Sequence, residues 1–222
     1  MQITESLDNP NLTHDDVLHR LSELKPGDSL ELLRFEDPTS LLRRVLEEVP
    51  LRYDFAPLQL GPKQWRILIH VREERTPRSI MGYLAWDHDR LDALLNEAVR
   101  QARSDQWREV HALIVDFKTG LFRHIEIEEK DLFPTFERVT GISEGGPTAV
   151  MRHEHEEIKE AVEGMLQATV NRHLEDFERF HANLLGVLVE HNMKEENILY
   201  PATDRALDDI ARNRLVEQML LH

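Results

Sequence analysis

No cysteine occurs among the 222 residues, which removes disulfides, thiolate zinc sites, iron–sulfur ligation and cysteine nucleophiles together. Any metal must therefore be held by nitrogen and oxygen. Long apolar runs are missing too. No stretch approaches the ~18 uninterrupted apolar residues that suggest a membrane span, and the opening MQITESLDNP lacks the basic-then-apolar layout of an export signal. A cytoplasmic protein without a membrane partner is expected. Basic side chains are outnumbered, 27 against 42 acidic ones, giving a formal net charge of -15. Such a chain repels nucleic acid and anionic lipid, so no nucleic-acid partner is expected. Apolar residues at 41% and charged residues at 31% suit a folded globular protein and give no sign of disorder. What the chain does have is histidine, twelve in all. Imidazole suits zinc, copper, iron and nickel, and carboxylates favour the harder of these ions.

The first 75 residues read as a small mixed module. GDSLELLRF and QWRILIHVRE show strand-like alternation, with Trp65, Ile67, Ile69 and Val71 on one side, and LRYDFAPLQL reads as a further strand before the turn GPK. Helices are expected through HDDVLHRLSEL and from DPTSLLRRVLEEV, where Asp37 can cap, Pro38 takes the first helical position and Pro50 stops the run. After the polar linker REERTPR the pattern turns to long 3.6-period segments. Helices are expected at about 78–103, 106–138, 148–168 and 172–202, with a short fifth near 206–221 and the loop TGISEGGPT between the second and third. The fold class is thus α+β with two domains: a small N-terminal two-layer α/β module, residues 1–75, and a helical domain, residues 78–222.

An internal repeat runs through the helical part. HIEIEEKDLFP at 124–134 returns as HNMKEENILYP at 191–201, matching at the His, both Glu, the Leu and the Pro, with a displacement of 191 − 124 = 67. The same shift carries His88 onto His155. Each half thus holds one His, a second 36 residues later, and a Glu four beyond that. Two similar helical hairpins packed antiparallel make a four-helix bundle with approximate twofold symmetry.

Inner-seam residues recur at alternating steps of three and four. All four helices supply such a seam: Leu84, His88, Leu91, Leu95; Phe117, Leu121, His124, Glu128; Met151, His155, Ile158, Val162, Met165; and Phe180, Leu184, Val187, His191, Glu195, Ile198. Six polar groups therefore lie on apolar stripes, while His153, roughly 200° around its helix from His155, should face outward. Burying four imidazoles and two carboxylates would cost several kcal/mol for each unpaired charge unless something compensates them. A metal does so. A His and a Glu at i and i+4 stand one above the other and can reach one centre, and six such groups exceed what one zinc needs. Two octahedral ions offer twelve positions. Four His fill four, two bridging carboxylates four, and a bridging oxide or hydroxide two, which leaves about two open. A lone seam His is ordinarily a hydrogen-bonded core residue, but six groups at a repeated spacing favour a dinuclear site. The remaining histidines (His14, His19, His70, His111, His153, His173, His181, His222) read as surface or core residues. Glu129 and Glu196 read as solvated, with a hydrogen bond to a ligand imidazole as the alternative.

With these motifs in hand, residues 80–202 resemble the hemerythrin-like, histidine-histidine-glutamate cation-binding family. Ferritin-type bundles place Glu before His at i, i+3, whereas here His precedes Glu at i, i+4. The resemblance implies a hemerythrin-like four-helix bundle whose metal ligands are His88, His124, Glu128, His155, His191 and Glu195. It also implies a cofactor of two iron ions, oxo- or hydroxo-bridged, with both glutamates bridging. Oxygen-carrying members typically have a further histidine where this chain has Met151, and use His then Asp five residues apart in the last helix. The symmetric set here instead resembles the iron–sulfur cluster repair proteins linked to nitric oxide and oxidative stress. Those usually begin with a cysteine-bearing domain, which this chain lacks. Residues 15–75 resemble the domain-of-unknown-function family 2249, on LSELKPGDSLELL and WRILIHV, which implies partner binding or regulation.

Two functions follow from the resemblance. One is a di-iron stress-response protein that reacts with nitric oxide, oxygen or peroxide, or lends iron to damaged clusters, with redox catalysis as an open variant. The other is a reversible binder or sensor signalling through the N-terminal domain. A metal-free bundle with a polar seam is the plain alternative. No side-chain acid or nucleophile is evident. Tyr83 and Tyr200 flank the ligand-bearing segments and read first as packing aromatics, with donation of a hydrogen bond or an electron as the alternative. Manganese or zinc could occupy the same ligands.

Overall fold

The computed structural model describes residues 5–7, 12–143 and 145–222, so most of the opening stretch read for an export signal lies outside the described residues. The chain divides into two compact units, Met1–Arg78 with Val216–His222, and Ser79–Leu215. The C-terminal segment thus groups with the first unit, whereas the sequence reading placed it in the helical domain.

The first unit carries β1 (Glu5–Leu7), α1 (His14–Glu23), β2 (Ser29–Arg34), α2 (Thr39–Glu48), β3 (Tyr53–Gln59) and β4 (Trp65–Val71). Thr13 starts α1 through a reciprocal cap: its hydroxyl accepts from Asp16 N–H at 3.2 Å, and the Asp16 carboxylate accepts from Thr13 N–H at 2.9 Å. Asp37 starts α2 by accepting from Thr39 N–H at 2.8 Å. The sheet order is β1-β2-β4-β3, with β1 parallel to β2 and the other pairs antiparallel. Register aligns Leu30, Ile69 and Phe55 across three strands, all essentially buried, so one period-2 face of the sheet is core. Leu68 and Ala56, on the other face, are buried as well. β1 escaped the sequence reading because three residues are too few to show an alternation.

In the second unit the long helices are α3 (Ile80–Arg103), α4 (Trp107–Ile127), α6 (Pro147–Asn171) and α7 (Leu174–Lys194). Each of α4 and α7 passes into a π-helical turn, Glu128–Leu132 and Glu195–Leu199, and then into α5 (Phe133–Thr140) or α8 (Tyr200–Ala206). α9 (Asp209–Leu220) follows and ends in the segment grouped with the first unit. The core is built from the four long helices, through Leu91, Leu95, Phe117, Leu121, Ile158, Val162, Met165 and Leu184. Each such side chain contributes ~1.5–3 kcal/mol by leaving water. α3 is anchored at its first turn by Asp204 of α8, whose carboxylate accepts from Ile80 N–H at 2.8 Å and Met81 N–H at 3.1 Å.

The π turns have a cause in the sequence. Pro134 and Pro201 donate no N–H, and their rings crowd the carbonyl four residues back, so the ladder widens just before each. The Phe133 and Tyr200 N–H groups consequently bond the carbonyls of Glu128 and Glu195, five residues earlier. This corrects the seam expected for the last long helix. Ile198 is 56% exposed, and Leu199 and Tyr200 are buried in its place, because one added residue per turn moves the inward position along by one. Among the described residues, no helix is long and apolar enough to cross a membrane.

Two glycines give opposite expectations. A Cβ on Gly120 would lie 2.6 Å from Arg90 Nη2 and 2.8 Å from Leu91 Cδ2, while one on Gly186 meets nothing within 4 Å. Gly120→Ala should lower stability, because overpacking at ~1–3 kcal/mol outweighs the ~0.5–1 kcal/mol gained in helix propensity. Gly186→Ala collects that gain alone. Thermal melts of the two variants should move in opposite directions, and a rise for Gly120→Ala would show that Arg90 moves freely.

Candidate metal centre

The four long helices bring His88, His124, Glu128, His155, His191 and Glu195 to one level of the core, none more than 6% exposed. Their donor atoms form two groups, His88–His124–Glu195 and Glu128–His155–His191–Glu195, within each of which they lie inside 4.8 Å of one another. Both carboxylates face both groups. Glu128 presents Oε1 to His124 Nε2 at 3.7 Å and Oε2 to His155 Nε2 at 3.3 Å. Glu195 presents Oε2 to His88 Nε2 at 3.5 Å and Oε1 to His191 Nε2 at 3.0 Å. In the first group His88 Nε2 and His124 Nε2 are 3.1 Å apart, and in the second the His155 and His191 rings meet edge-on with centroids 4.9 Å apart. A His in the last turn of α4 or α7 and the Glu at i+4, which opens the π turn that follows, account for two arms. α3 and α6 contribute the single histidines.

Every imidazole is held from behind by a carboxylate. Nδ1 of His88 meets Glu196 at 2.8 Å, Nδ1 of His124 meets Asp87 at 2.9 Å, Nδ1 of His155 meets Glu129 at 2.8 Å, and Nδ1 of His191 meets Glu154 at 3.0 Å. With Nδ1 carrying the proton, each Nε2 turns its lone pair to the centre. For Glu129 and Glu196 the alternative expected from the sequence, a hydrogen bond to an imidazole of the cluster, holds in place of full solvation. They are only about a third exposed, because the π turn rotates them toward the neighbouring helix. Asp87 and Glu154 were missed outright, although the repeat contains them: 154 − 87 = 67, as 196 − 129 = 67. Asp87 is itself fixed by Arg90 Nε at 2.7 Å, and Glu154 by the Lys194 ammonium.

The Tyr200 hydroxyl lies inside the first group. It donates to Glu128 Oε1 at 2.6 Å and stands 3.0 Å from Glu195 Oε2, 3.4 Å from His124 Nε2 and 3.5 Å from His88 Nε2. Tyr83 stacks on Trp86 with centroids 5.9 Å apart and accepts from Arg123 at 3.0 Å, a packing role. His153 is exposed beside Glu157.

Burial and mutual charge set the protonation of the metal-free cluster. Burial opposes a charge on His124, yet Glu128 and Asp87 outweigh it and raise the pKa to about 10. The same contest at His191, won by Glu195 and Glu128, gives about 9. Burial and the Glu128 charge raise Glu195 to about 7. Glu128 is drawn well below the usual carboxylate range, His124 and His155 overcoming its burial. Burial and the neighbouring His124 charge lower His88.

The donors fit a cation. Glu128 Oε2, His155 Nε2 and Glu195 Oε1 are buried with no hydrogen-bond partner, although they lie within ion-pair distance of one another or of His191. Buried nitrogen and oxygen donors aimed at a shared point are what a metal ion satisfies. Imidazole nitrogen with carboxylate oxygen suits first-row ions of intermediate hardness.

Comparison with known proteins points the same way. The model of the hemerythrin HHE cation binding domain matches residues 81–203. The iron–sulfur cluster repair protein DnrN of Neisseria gonorrhoeae is 34% identical over 80 residues, which cover 36% of this chain and 51% of that protein. The chain thus matches about half the length of this curated relative. No solved structure matches.

The protonation pattern predicts how stability follows pH without metal. His124 and His191 have folded pKa values above the ordinary 6.5, so their contribution is full below pH 6.5 and is lost as pH rises through about 9 and about 10. Glu195, raised from 4.5 to about 7, acts in the same direction at lower pH, its contribution being lost between those two values. The urea midpoint of the metal-free protein should therefore fall between pH 6.5 and 10. The fall should shrink in Asp87→Asn, which removes one of the charges that hold the His124 proton. A midpoint that stays flat would show that these histidines are neutral.

Proposed function

The chain belongs to the hemerythrin HHE cation binding family, and from that premise we propose that it is a non-haem di-iron protein acting on nitric oxide, oxygen or peroxide. The observation that carries this reading is the division of each buried glutamate between two histidine pairs. One ion would be held by His88 and His124 and a second by His155 and His191, with Glu128 and Glu195 within reach of both pairs. The helices α3, α4, α6 and α7 then form an antiparallel four-helix bundle around the pair. Bound iron supplies electrons and Lewis acidity to a small ligand.

The side chains do the rest. Asp87, Glu129, Glu154 and Glu196 hold the imidazole protons on Nδ1 and fix ring orientation, so the donors need not reorganise. Before an ion binds, the Tyr200 phenol donates to Glu128 Oε1 at 2.6 Å. Packing around the six donors excludes bulk water, which strengthens charge interactions inside. The relative's name supports a place in iron–sulfur cluster repair, and a cytoplasmic setting goes with that role. The separate compact unit at residues 1–78 supports a second reading, in which a reversible binder or iron sensor signals to a partner protein through that module.

Purification from iron-replete medium without oxygen, with metal quantification and absorption spectra before and after separate additions of nitric oxide and oxygen, tests both readings. Two irons per chain and a spectral response to gas are expected. Recovery on gas removal marks the binder, and net consumption over many turnovers marks the enzyme. His124→Ala and Glu195→Ala should lose iron, and exposed His153→Ala should keep it. Iron that stays in the first two variants, or never binds, ends the proposal.

The outer carboxylates carry their own expectation. Asp87→Asn or Glu154→Gln should weaken iron affinity by about 10–100-fold while leaving the ligands in place. Chelator competition measures this, and unchanged affinity would reduce these residues to packing.

A further inference from the structure

The two groups of donors are built on one plan but differ in one atom. In the His155/His191 group three buried donors lack hydrogen-bond partners, whereas the Tyr200 hydroxyl is centred among the donors of the His88/His124 group. Resting on the di-iron reading above, we propose that Tyr200 Oη is a fifth protein donor to the ion held by His88 and His124, so that the two ion positions are chemically inequivalent.

The argument is geometric. Neighbouring donors around an octahedral ion, each ~2.1 Å from it, stand ~3.0 Å apart. Tyr200 Oη lies 2.6, 3.0, 3.4 and 3.5 Å from Glu128 Oε1, Glu195 Oε2, His124 Nε2 and His88 Nε2, scattered about that spacing on every side. The tyrosine is fully buried, so its hydroxyl has no water to turn to and stays where the ion would sit beside it. Its aim is set by the backbone. Tyr200 is the fifth residue after Glu195 across the π turn, where the N–H of one residue bonds the carbonyl five back. That closure brings position i+5 toward the face of the ligand glutamate.

The repeat supplies an internal control. Phe133 holds the same place after Glu128 and stacks on His155, with centroids 5.6 Å apart and planes 10° from parallel. It brings a ring to its group but no oxygen. Coordination of a ferric ion by Tyr200 sends the phenolic proton to solvent and changes no oxidation state.

The test uses the full chain, loaded with ferrous iron in the absence of oxygen and then oxidised with ferricyanide. Iron content, visible absorption and resonance Raman spectra are recorded. A phenolate-to-iron charge-transfer band with tyrosinate ring vibrations is expected. Both should vanish in Tyr200→Phe and persist in Tyr53→Phe and Tyr83→Phe, the other two of the chain's three tyrosines. The phenylalanine at 133 shows that a ring without oxygen is tolerated after a π turn, and circular dichroism checks that the variant folds. Should it not fold, the Tyr53→Phe/Tyr83→Phe double variant assigns the band by elimination. Iron-loaded wild type without tyrosinate features, or features that survive in Tyr200→Phe, overturns the inference while the di-iron reading stands. A wild-type protein that takes up no iron overturns both.

Discussion

The helical unit depends on two carboxylates, Glu128 and Glu195, that are buried completely and shared between facing pairs of imidazoles. An ionised carboxylate taken out of water costs several kcal/mol even after relaxation, and only close countercharges and hydrogen bonds offset that cost. Here the countercharges are the histidines themselves. The raised proton affinity of His124 and His191 and the depressed one of Glu128 are two sides of a single interaction. A divalent or trivalent cation competes for the same lone pairs as those protons, so metal uptake and protonation are linked through the same atoms.

What holds the donors is a second ring of charge, one carboxylate behind each imidazole, and it keeps the 67-residue displacement of the inner ring. The two π turns keep it as well. Each runs from a buried glutamate toward a proline, and each widens the helix where the next acid, Glu129 or Glu196, swings onto a histidine of another helix. A regular α-turn leaves that acid facing solvent. Local strain at the proline thus becomes orientation at the centre.

Much of this is legible in the sequence. The 3.6 period of the apolar stripes located the long helices, and the polar interruptions of those stripes located all six donors that the core brings together. The inward position after Glu195 was misread because the period is not constant: the added residue of the π turn exposes Ile198 and buries Tyr200, and a search at fixed steps of three and four cannot see it. Asp87 and Glu154 were overlooked for a different reason. They sit beside the seam, where an acid looks like any solvated residue, and only the repeat displacement marks them. β1, with three residues, shows too little alternation to be read at all. In the first unit the cross-strand row through Leu30, Ile69 and Phe55 follows directly from period-2 alternation.

The repeat fails one layer further out, and there the two groups part company. Asp87 is fixed by Arg90 in an ion pair at most 2% exposed, but the residue 67 positions after Arg90 is Glu157, which cannot play that part and pairs instead with exposed His153. Glu154 relies on Lys194, whose ammonium is a third exposed. The Arg90 guanidinium meets Asp87 through Nε alone but in a site closed to water, whereas the Lys194 ammonium is partly hydrated on a flexible stem, and water screens the second pair more than the first. His124 is consequently oriented by a rigid, dry relay and His191 by a looser, wetter one. Tyr200 against Phe133 adds an oxygen on the rigid side only. An inner ring that is symmetric in its donors therefore stands in an asymmetric field, with its imidazoles oriented more firmly on one side than on the other.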